Sequence, residues 1–479
     1  MKHSNNIPLI IDLDGSLIRT DTLFESCLLF IKKYPLRAFA LLKWFWGGKA
    51  HLKNKLSKYV LPNAELLPYR TEVLELAQEA KRYGKKVYLI TGANQKIADE
   101  ISKTKNLFVT AIGSTTDLNL KGENKLAKIR EVLGTKKFDY IGNSKSDLPI
   151  WSEARTAFIC SNNKILRKSL KTISPNIVDI ELERKPALQQ SIKALRIYQW
   201  SKNVLVFLAL FMSHRILEID LLVKNLVAFV SFSLIASSVY ILNDLFDLES
   251  DRKHPTKKHR PFASGLIPII SGVLSVPVLL CCGFLLSLFL LPNNFTLVLL
   301  LYFITTTVYS LYLKEILFID VILLGALYTL RIIAGGLATG VEVSSWLLGF
   351  SGFFFLSLAF MKRYTDLLLF KRNSQEELFG RGYAIEDMDF VQKIGIASGF
   401  ISLLILALYI TSEQVFVLYR KPLLLWLTIP AVLYWLMRMW YMAHKGKMTD
   451  DPIIYAIKDK SSYVVFVLVL ITTIAATVI

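Results

Sequence analysis

From about residue 195 onward the chain is a succession of apolar segments of roughly bilayer-spanning length, about 20 residues as helix. They run 203–217, 221–242, 268–291, 294–313, 316–336, 344–361, 392–411, 422–440 and 461–479. Backbone groups in lipid must be satisfied internally, so nine such segments predict nine transmembrane helices. A hydrophobic content of 53% agrees. The loops carry charge unevenly: Arg252, Lys253, Lys257, Lys258, Arg260, Lys314, Lys362 and Arg363 fall on one side, against Arg215, Lys224, Arg420 and Lys421 on the other. The positive-inside rule then predicts a multi-pass protein of the cytoplasmic (inner) membrane, N-terminal domain in the cytoplasm and C-terminus outside. The first apolar run, 7–13, is too short for a secretory signal and carries an acid.

The remaining third is of a different kind. Short β-branched runs (IPLIIDLDG, KKVYLITG, FDYIGN) alternate with charged helical stretches such as YRTEVLELAQEAKRYGKK, the pattern of βαβ units around a parallel sheet. The expected division is an α/β domain at 1–183 and an all-α membrane domain at 184–479. Residues 23–48 are apolar and aromatic but interrupted by Lys32, Lys33, Pro35 and Arg37, and read equally as a helical cap on the sheet or as an amphipathic segment on the membrane surface. A formal net charge of +19 suits nucleic acid, anionic lipid or phosphorylated substrates alike, and charge alone does not choose among them; no nucleic-acid partner is expected. Cys27, Cys160, Cys281 and Cys282 lack metal-ligand spacing and are expected to be buried as small apolar residues.

Between the second and third apolar segments stands NDLFDLESDRKHPTKKHRPFASG, residues 243–265. Asp244, Asp247 and Asp251 fall on one helical stripe beside Asn243. Bare carboxylates crowded together repel, a divalent cation relieves this, and Mg²⁺ characteristically shares its shell with substrate phosphates. The stripe therefore implies bound Mg²⁺ and a diphosphate donor. The bases that follow, Lys257 and Arg260 among them, suit phosphate oxygens. A solvated loop that merely sets topology is the plainer reading, and the ordered spacing argues against it. Asp320 and Arg331 lie within the fifth segment, where a charge costs roughly 3 kcal/mol on insertion scales, so each is expected to bind substrate or to pair with another helix.

The spacing NDxxDxxxD followed by HPTKKHRPFASG resembles the first signature of the UbiA superfamily of intramembrane prenyltransferases, over roughly residues 190–479. That resemblance implies a nine-helix bundle. Many members carry a second DxxxD motif, but here Asp320 is followed four residues on by Leu324. RIYQWSKNVLV (with Lys202), DRKHPTKKHRPFASG and MKRYTDL (with Lys362 and Arg363) look instead like the decaprenyl-phosphate phosphoribosyltransferases. That branch implies 5-phosphoribosyl 1-diphosphate as donor and a polyprenyl phosphate lipid as acceptor. The alternatives are transfer of a polyprenyl group from its diphosphate to an aromatic acceptor, and a non-enzymatic lipid-binding or transport protein. Oligomeric state is not legible.

A second constellation lies at the N-terminus: Asp12 and Asp14 in IDLDGSLIRTDT, Thr91 ending VYLITG, Lys125 in GENKLAKIRE, and Asn143 and Asp147 in GNSKSDLP. In order and spacing these resemble the four motifs of the haloacid dehalogenase superfamily, over about residues 5–165. The resemblance implies Asp12 as nucleophile, Asp14 as acid and base, Thr91 and Lys125 on phosphoryl oxygens, and Mg²⁺ held by Asp12, Asp14, Asp147 and the position of Asn143. Asn143 stands where the family usually has Asp, so a non-catalytic docking domain is the rival reading.

Overall fold

The computed structural model describes residues 7–116, 118–134, 137–182, 186–372, 382–448 and 451–478; the expected boundary at 183/184 lies outside them. The chain divides into two compact units, one extending to Leu195 and including Tyr240–Val276, the other formed by Arg196–Val239 and the chain from Pro277 onward.

In the first unit six strands, β1 (Leu9–Ile11), β2 (Val87–Asn94), β3 (Thr110–Ser114), β4 (Asp139–Gly142), β5 (Thr156–Ile159) and β6 (Ile177–Asp179), form one parallel sheet in the order β3-β2-β1-β4-β5-β6. Side chains alternate across a strand. Leu9 and Ile11 therefore enter a core with Val73, Ala77, Ile97 and Ile101, while Ile10 joins Leu126, Ile129, Trp151 and Leu170 on the other face. The chain builds outward from β1 through β2 to β3, then returns to β4 on the other side of β1. The carboxyl ends of β1 and β4 thus form a topological switch point, the usual crevice for a ligand in such sheets. The 23–48 segment folds as the helices Thr22–Lys33, Pro35–Arg37 and Ala40–Trp46.

The apolar region contains eight helices long and apolar enough to cross a membrane among the described residues: Ile219–Phe246, Ile269–Leu290, Asn293–Leu311, Ile319–Thr339, Ser345–Arg372, Ile385–Ile410, Pro422–His444 and Lys460–Val478. The expected first span, 203–217, instead overlaps a 16-residue helix, Ile197–Met212, and its residues 213–217 lie beyond that helix. Most of it, Ile197–Phe207, is 3₁₀. Its backbone lies directly on Ile319–Thr339, since a Cβ at Gly335 would stand 1.7 Å from the Val206 carbonyl oxygen. The expected span 344–361 continues to Arg372: hydropathy falls at Lys362, but the backbone does not break there. Cys160 is buried and Cys27 half-buried, whereas Cys281 and Cys282, expected to be buried, are exposed on Ile269–Leu290, one of the helices long and apolar enough to cross a membrane.

Candidate active sites

At the switch point Asp12 follows β1 directly, and helix Glu123–Leu133 brings Lys125 to it, Nζ to Oδ1 at 2.7 Å. Lys125 also donates to the Tyr140 hydroxyl at 3.2 Å, and that hydroxyl donates to Asp147 Oδ1 at 2.8 Å. The other oxygen of Asp147, Oδ2, accepts the backbone N–H groups of Asn143 and Ser144 at 3.1 and 2.9 Å and the Ser144 hydroxyl at 3.0 Å. Burial pushes the Lys125 ammonium down, and Asp12 and Asp147 more than reverse this. Asp14 accepts the Thr22 N–H at 2.8 Å, opening helix Thr22–Lys33. Burial, reinforced by the charge of Asp21, raises its carboxyl to about 7. Thr91 is fully buried, its hydroxyl accepting the Ala93 N–H at 3.0 Å. The Asn143 amide lies over Gly15, and its Oδ1 accepts the Ser16 hydroxyl at 3.3 Å. Asp12, Lys125 and Asp147 therefore form one buried polar chain, with Asn143 and Asp147 joined by backbone.

The acidic stripe belongs to the same unit. Asn243 and Asp244 close the helix Ile219–Phe246, Asp247 stands at a break, and Asp251 lies on Leu248–Lys253. The single stripe expected on one helix is therefore split. Asp244 and Asp251 face the same Nη1 of Arg260, at 3.0 and 2.7 Å, while Asp247 pairs with Lys32 at 3.1 Å. The carboxylates are thus not bare, and among the described residues no three His, Cys, Asp or Glu side chains gather closely enough to hold a metal by themselves. Burial raises the Asp251 carboxyl, with Arg260 opposing it. Lys257 is exposed on the short 3₁₀ turn Lys257–His259.

In the second unit Lys202, on the 3₁₀ helix, and Lys362 converge on one oxygen of Asp451, at 2.7 and 3.3 Å, with the Tyr328 hydroxyl at 3.5 Å. Burial raises the Asp451 carboxyl, but the two lysines outweigh that and hold it well below the ordinary range. Sequence reasoning missed Asp451. Its one local signal is the Asp-Pro step, where it caps helix Pro452–Lys458 by accepting the Ile453 N–H. The two intramembrane charges do not meet each other. Asp320 contacts Arg363 Nη2 at 2.6 Å and accepts the Tyr383 hydroxyl at 2.6 Å, with both charged side chains fully buried. Arg331 donates to Asn203 Oδ1 at 2.9 Å and to the Tyr302 hydroxyl at 3.1 Å, its guanidinium 5.1–5.4 Å from the rings of Phe232, Tyr302 and Tyr328.

Among the described residues, eight long apolar helices define a multi-pass membrane protein, which carries a parallel α/β domain in the same chain. The chain belongs to the UbiA prenyltransferase family, whose profile matches residues 204–458. It is 36% identical to uncharacterized protein y4nM of Sinorhizobium fredii over 97% of this chain and 90% of that one. Nodulation protein NoeC of Azorhizobium caulinodans is 34% identical over 57% of this chain and 88% of its own length. Decaprenyl-phosphate phosphoribosyltransferase of Mycobacterium tuberculosis is 38% identical over 38% of this chain and 61% of its own.

Proposed function

We propose that this protein transfers 5-phosphoribose from phosphoribosyl diphosphate to a polyprenyl phosphate, and that its N-terminal domain hydrolyses the 5-phosphate of the lipid product. The observation that carries the first step is the convergence of Lys202 and Lys362 on the single carboxylate Asp451, two cations around one anion whose place a substrate phosphate can take. Similarity to a decaprenyl-phosphate phosphoribosyltransferase supports the choice of donor and acceptor. In the transfer, a lipid phosphate oxygen forms a bond to ribose C1 while the C1–O bond to diphosphate breaks. Lys202 and Lys362 would hold phosphate charge through that exchange. Arg331, enclosed by aromatic rings and fixed by Asn203 and Tyr302, lies against the same Tyr328 whose hydroxyl faces Asp451. Asp320 and Arg363, fully buried against each other, hold helices together and are left out of substrate binding.

A divalent metal fits the acidic stripe. Two carboxylates converge on one cationic nitrogen there, and Mg²⁺ needs only one or two protein carboxylates beside substrate oxygens. Asp244 and Asp251 would hold it once Arg260 turned to the diphosphate, with Asn243 at the rim and Asp247 as a third donor if released by Lys32. Bound there, Mg²⁺ would neutralise charge developing on the departing diphosphate.

In the α/β domain Asp12 would attack phosphorus, breaking the P–O bond to the ribose 5-oxygen as Asp14 gives that oxygen its proton. Water then hydrolyses the aspartyl-phosphate with Asp14 taking the proton back. A carboxyl raised to about 7 suits a group that must give and accept a proton near neutrality. Lys125 would neutralise the phosphoryl oxygens and Thr91 lines their seat. Asp12, Asn143 and Asp147 would supply oxygen donors for Mg²⁺ there, Asp147 being already fixed by two backbone N–H groups. The reading is tested by offering purified protein labelled phosphoribosyl diphosphate with polyprenyl phosphate, and separately polyprenyl diphosphate with an aromatic acid. Label should enter lipid only in the first mixture.

A further inference from the structure

The geometry points to the Pro35–Arg37 and Ala40–Trp46 helices as an interfacial membrane anchor, seated in the leaflet that receives the end of helix Ile219–Phe246. This goes beyond the proposed chemistry and does not depend on it. Leu36, Phe39, Leu42, Phe45 and Trp46 are 95, 82, 67, 56 and 90% exposed, with Leu42, Phe45 and Trp46 at i, i+3 and i+4 on one face. The opposite face is already satisfied: Leu41 and Trp44 pack on a cluster of Phe30, Leu52, Leu56 and Val60, and Trp44 stacks on Tyr59. The exposed set is thus the outward side of a well-packed element rather than a loose end.

Two observations choose the occupant. Residues 26–64 hold eight Lys and Arg and no Asp or Glu, a complement to anionic lipid headgroups, and Lys33, Arg37, Lys43, Lys49 and Lys58 among them are exposed, placed to snorkel around an apolar face. The preceding helix also ends against the membrane-spanning one: Lys32 donates to the Phe246 carbonyl at 2.8 Å and pairs with Asp247, and Phe246 is the last residue of Ile219–Phe246. The apolar element starts three residues after that contact. Trp46 and the other rings then lie at headgroup depth, where aromatic side chains concentrate.

The test uses the full chain in anionic lipid nanodiscs. An environment-sensitive fluorophore is placed on Leu42→Cys, with Cys27, Cys281 and Cys282 replaced by Ser, and in a second sample on Gln78→Cys, exposed on helix Thr71–Arg82. The Leu42 probe should be quenched at least twofold more by lipid-borne nitroxides than by aqueous iodide, and the Gln78 probe the reverse. Phe39→Asp with Trp46→Asp should return the Leu42 probe to iodide. Iodide access at Leu42 in the unaltered surface would overturn the proposal, as would shielding from both quenchers, which would mean that a second copy or another protein covers the face.

Discussion

Arg260 offers one Nη1 to two carboxylates, so neither is available as the bare acid that residue spacing suggests. The same holds at Asp320, whose partner is Arg363 and not Arg331. Removing one member of a fully buried ion pair strands the other, at roughly 3–5 kcal/mol. Arg363→Ala should lower the thermal midpoint of the detergent-solubilised protein strongly, while Asp320→Leu with Arg363→Met should recover much of the loss. An equal loss in both would show that the pair is not the source. Asp14 gives a pH prediction. As the proposed acid in phosphoryl transfer it would have to carry its proton, so phosphomonoester hydrolysis should fall as pH rises through about 7, and Asp14→Asn should abolish that limb together with most of the rate. Holding its proton more tightly folded than unfolded, where the ordinary value is 3.8, Asp14 favours folding at low pH. That contribution fades as pH rises through this window. Denaturant midpoints of Asp14→Asn should therefore lose this dependence. The long-range pairings have no local signature: Lys202 and Asp451 are 249 residues apart, and sequence spacing registers only neighbours on one element.

At the scale of elements, hydropathy placed eight of the expected spans on observed helices because length and composition are what a bilayer selects. The first expected span shows its limit. A 3₁₀ helix rises about 2.0 Å per residue against about 1.5 Å in an α-helix, so Ile197–Met212 extends about 30 Å, close to the hydrocarbon thickness. A helix too short by residue count can still cross. Reporters placed in the α/β domain and after helix Lys460–Val478 should accordingly lie on opposite sides of the membrane; the same side would mean an even number of crossings. Gly335→Val tests the seat of this helix, since any Cβ there meets the Val206 carbonyl. It should destabilise the protein by more than 2 kcal/mol, as close-packed interfaces tolerate overpacking poorly, and lower transfer activity by displacing Lys202.

Across the whole molecule, the motif at 243–265 and the ordered residues from Asp12 to Asp147 were legible because each is a short pattern of chemistry on one element or strand end. Their connection was not. Glu25, at the start of helix Thr22–Lys33, takes Arg252 in a two-point buried pair at 2.9 and 2.7 Å, and Asp14 caps the same helix through Thr22. Lys32 at its other end holds Asp247. One helix therefore touches both the proposed phosphatase acid and the transferase signature. Lys32→Ala should remove the Lys32 partner of Asp247 and lower the Mg²⁺ concentration needed for half-maximal transfer severalfold; an unchanged requirement would assign Asp247 no metal role.

The two proposed steps act in sequence in one chain, and mass spectrometry of lipid products from reconstituted protein supplied with phosphoribosyl diphosphate, polyprenyl phosphate and Mg²⁺ tests them most directly. Wild type should yield the polyprenyl-phosphate ribose lacking its 5-phosphate, Asp12→Asn should stop at the 5-phosphate, and Asp244→Asn should yield neither. Equal accumulation of the 5-phosphate in wild type and Asp12→Asn would contradict the second step, and absence of any ribosylated lipid from wild type would contradict the first.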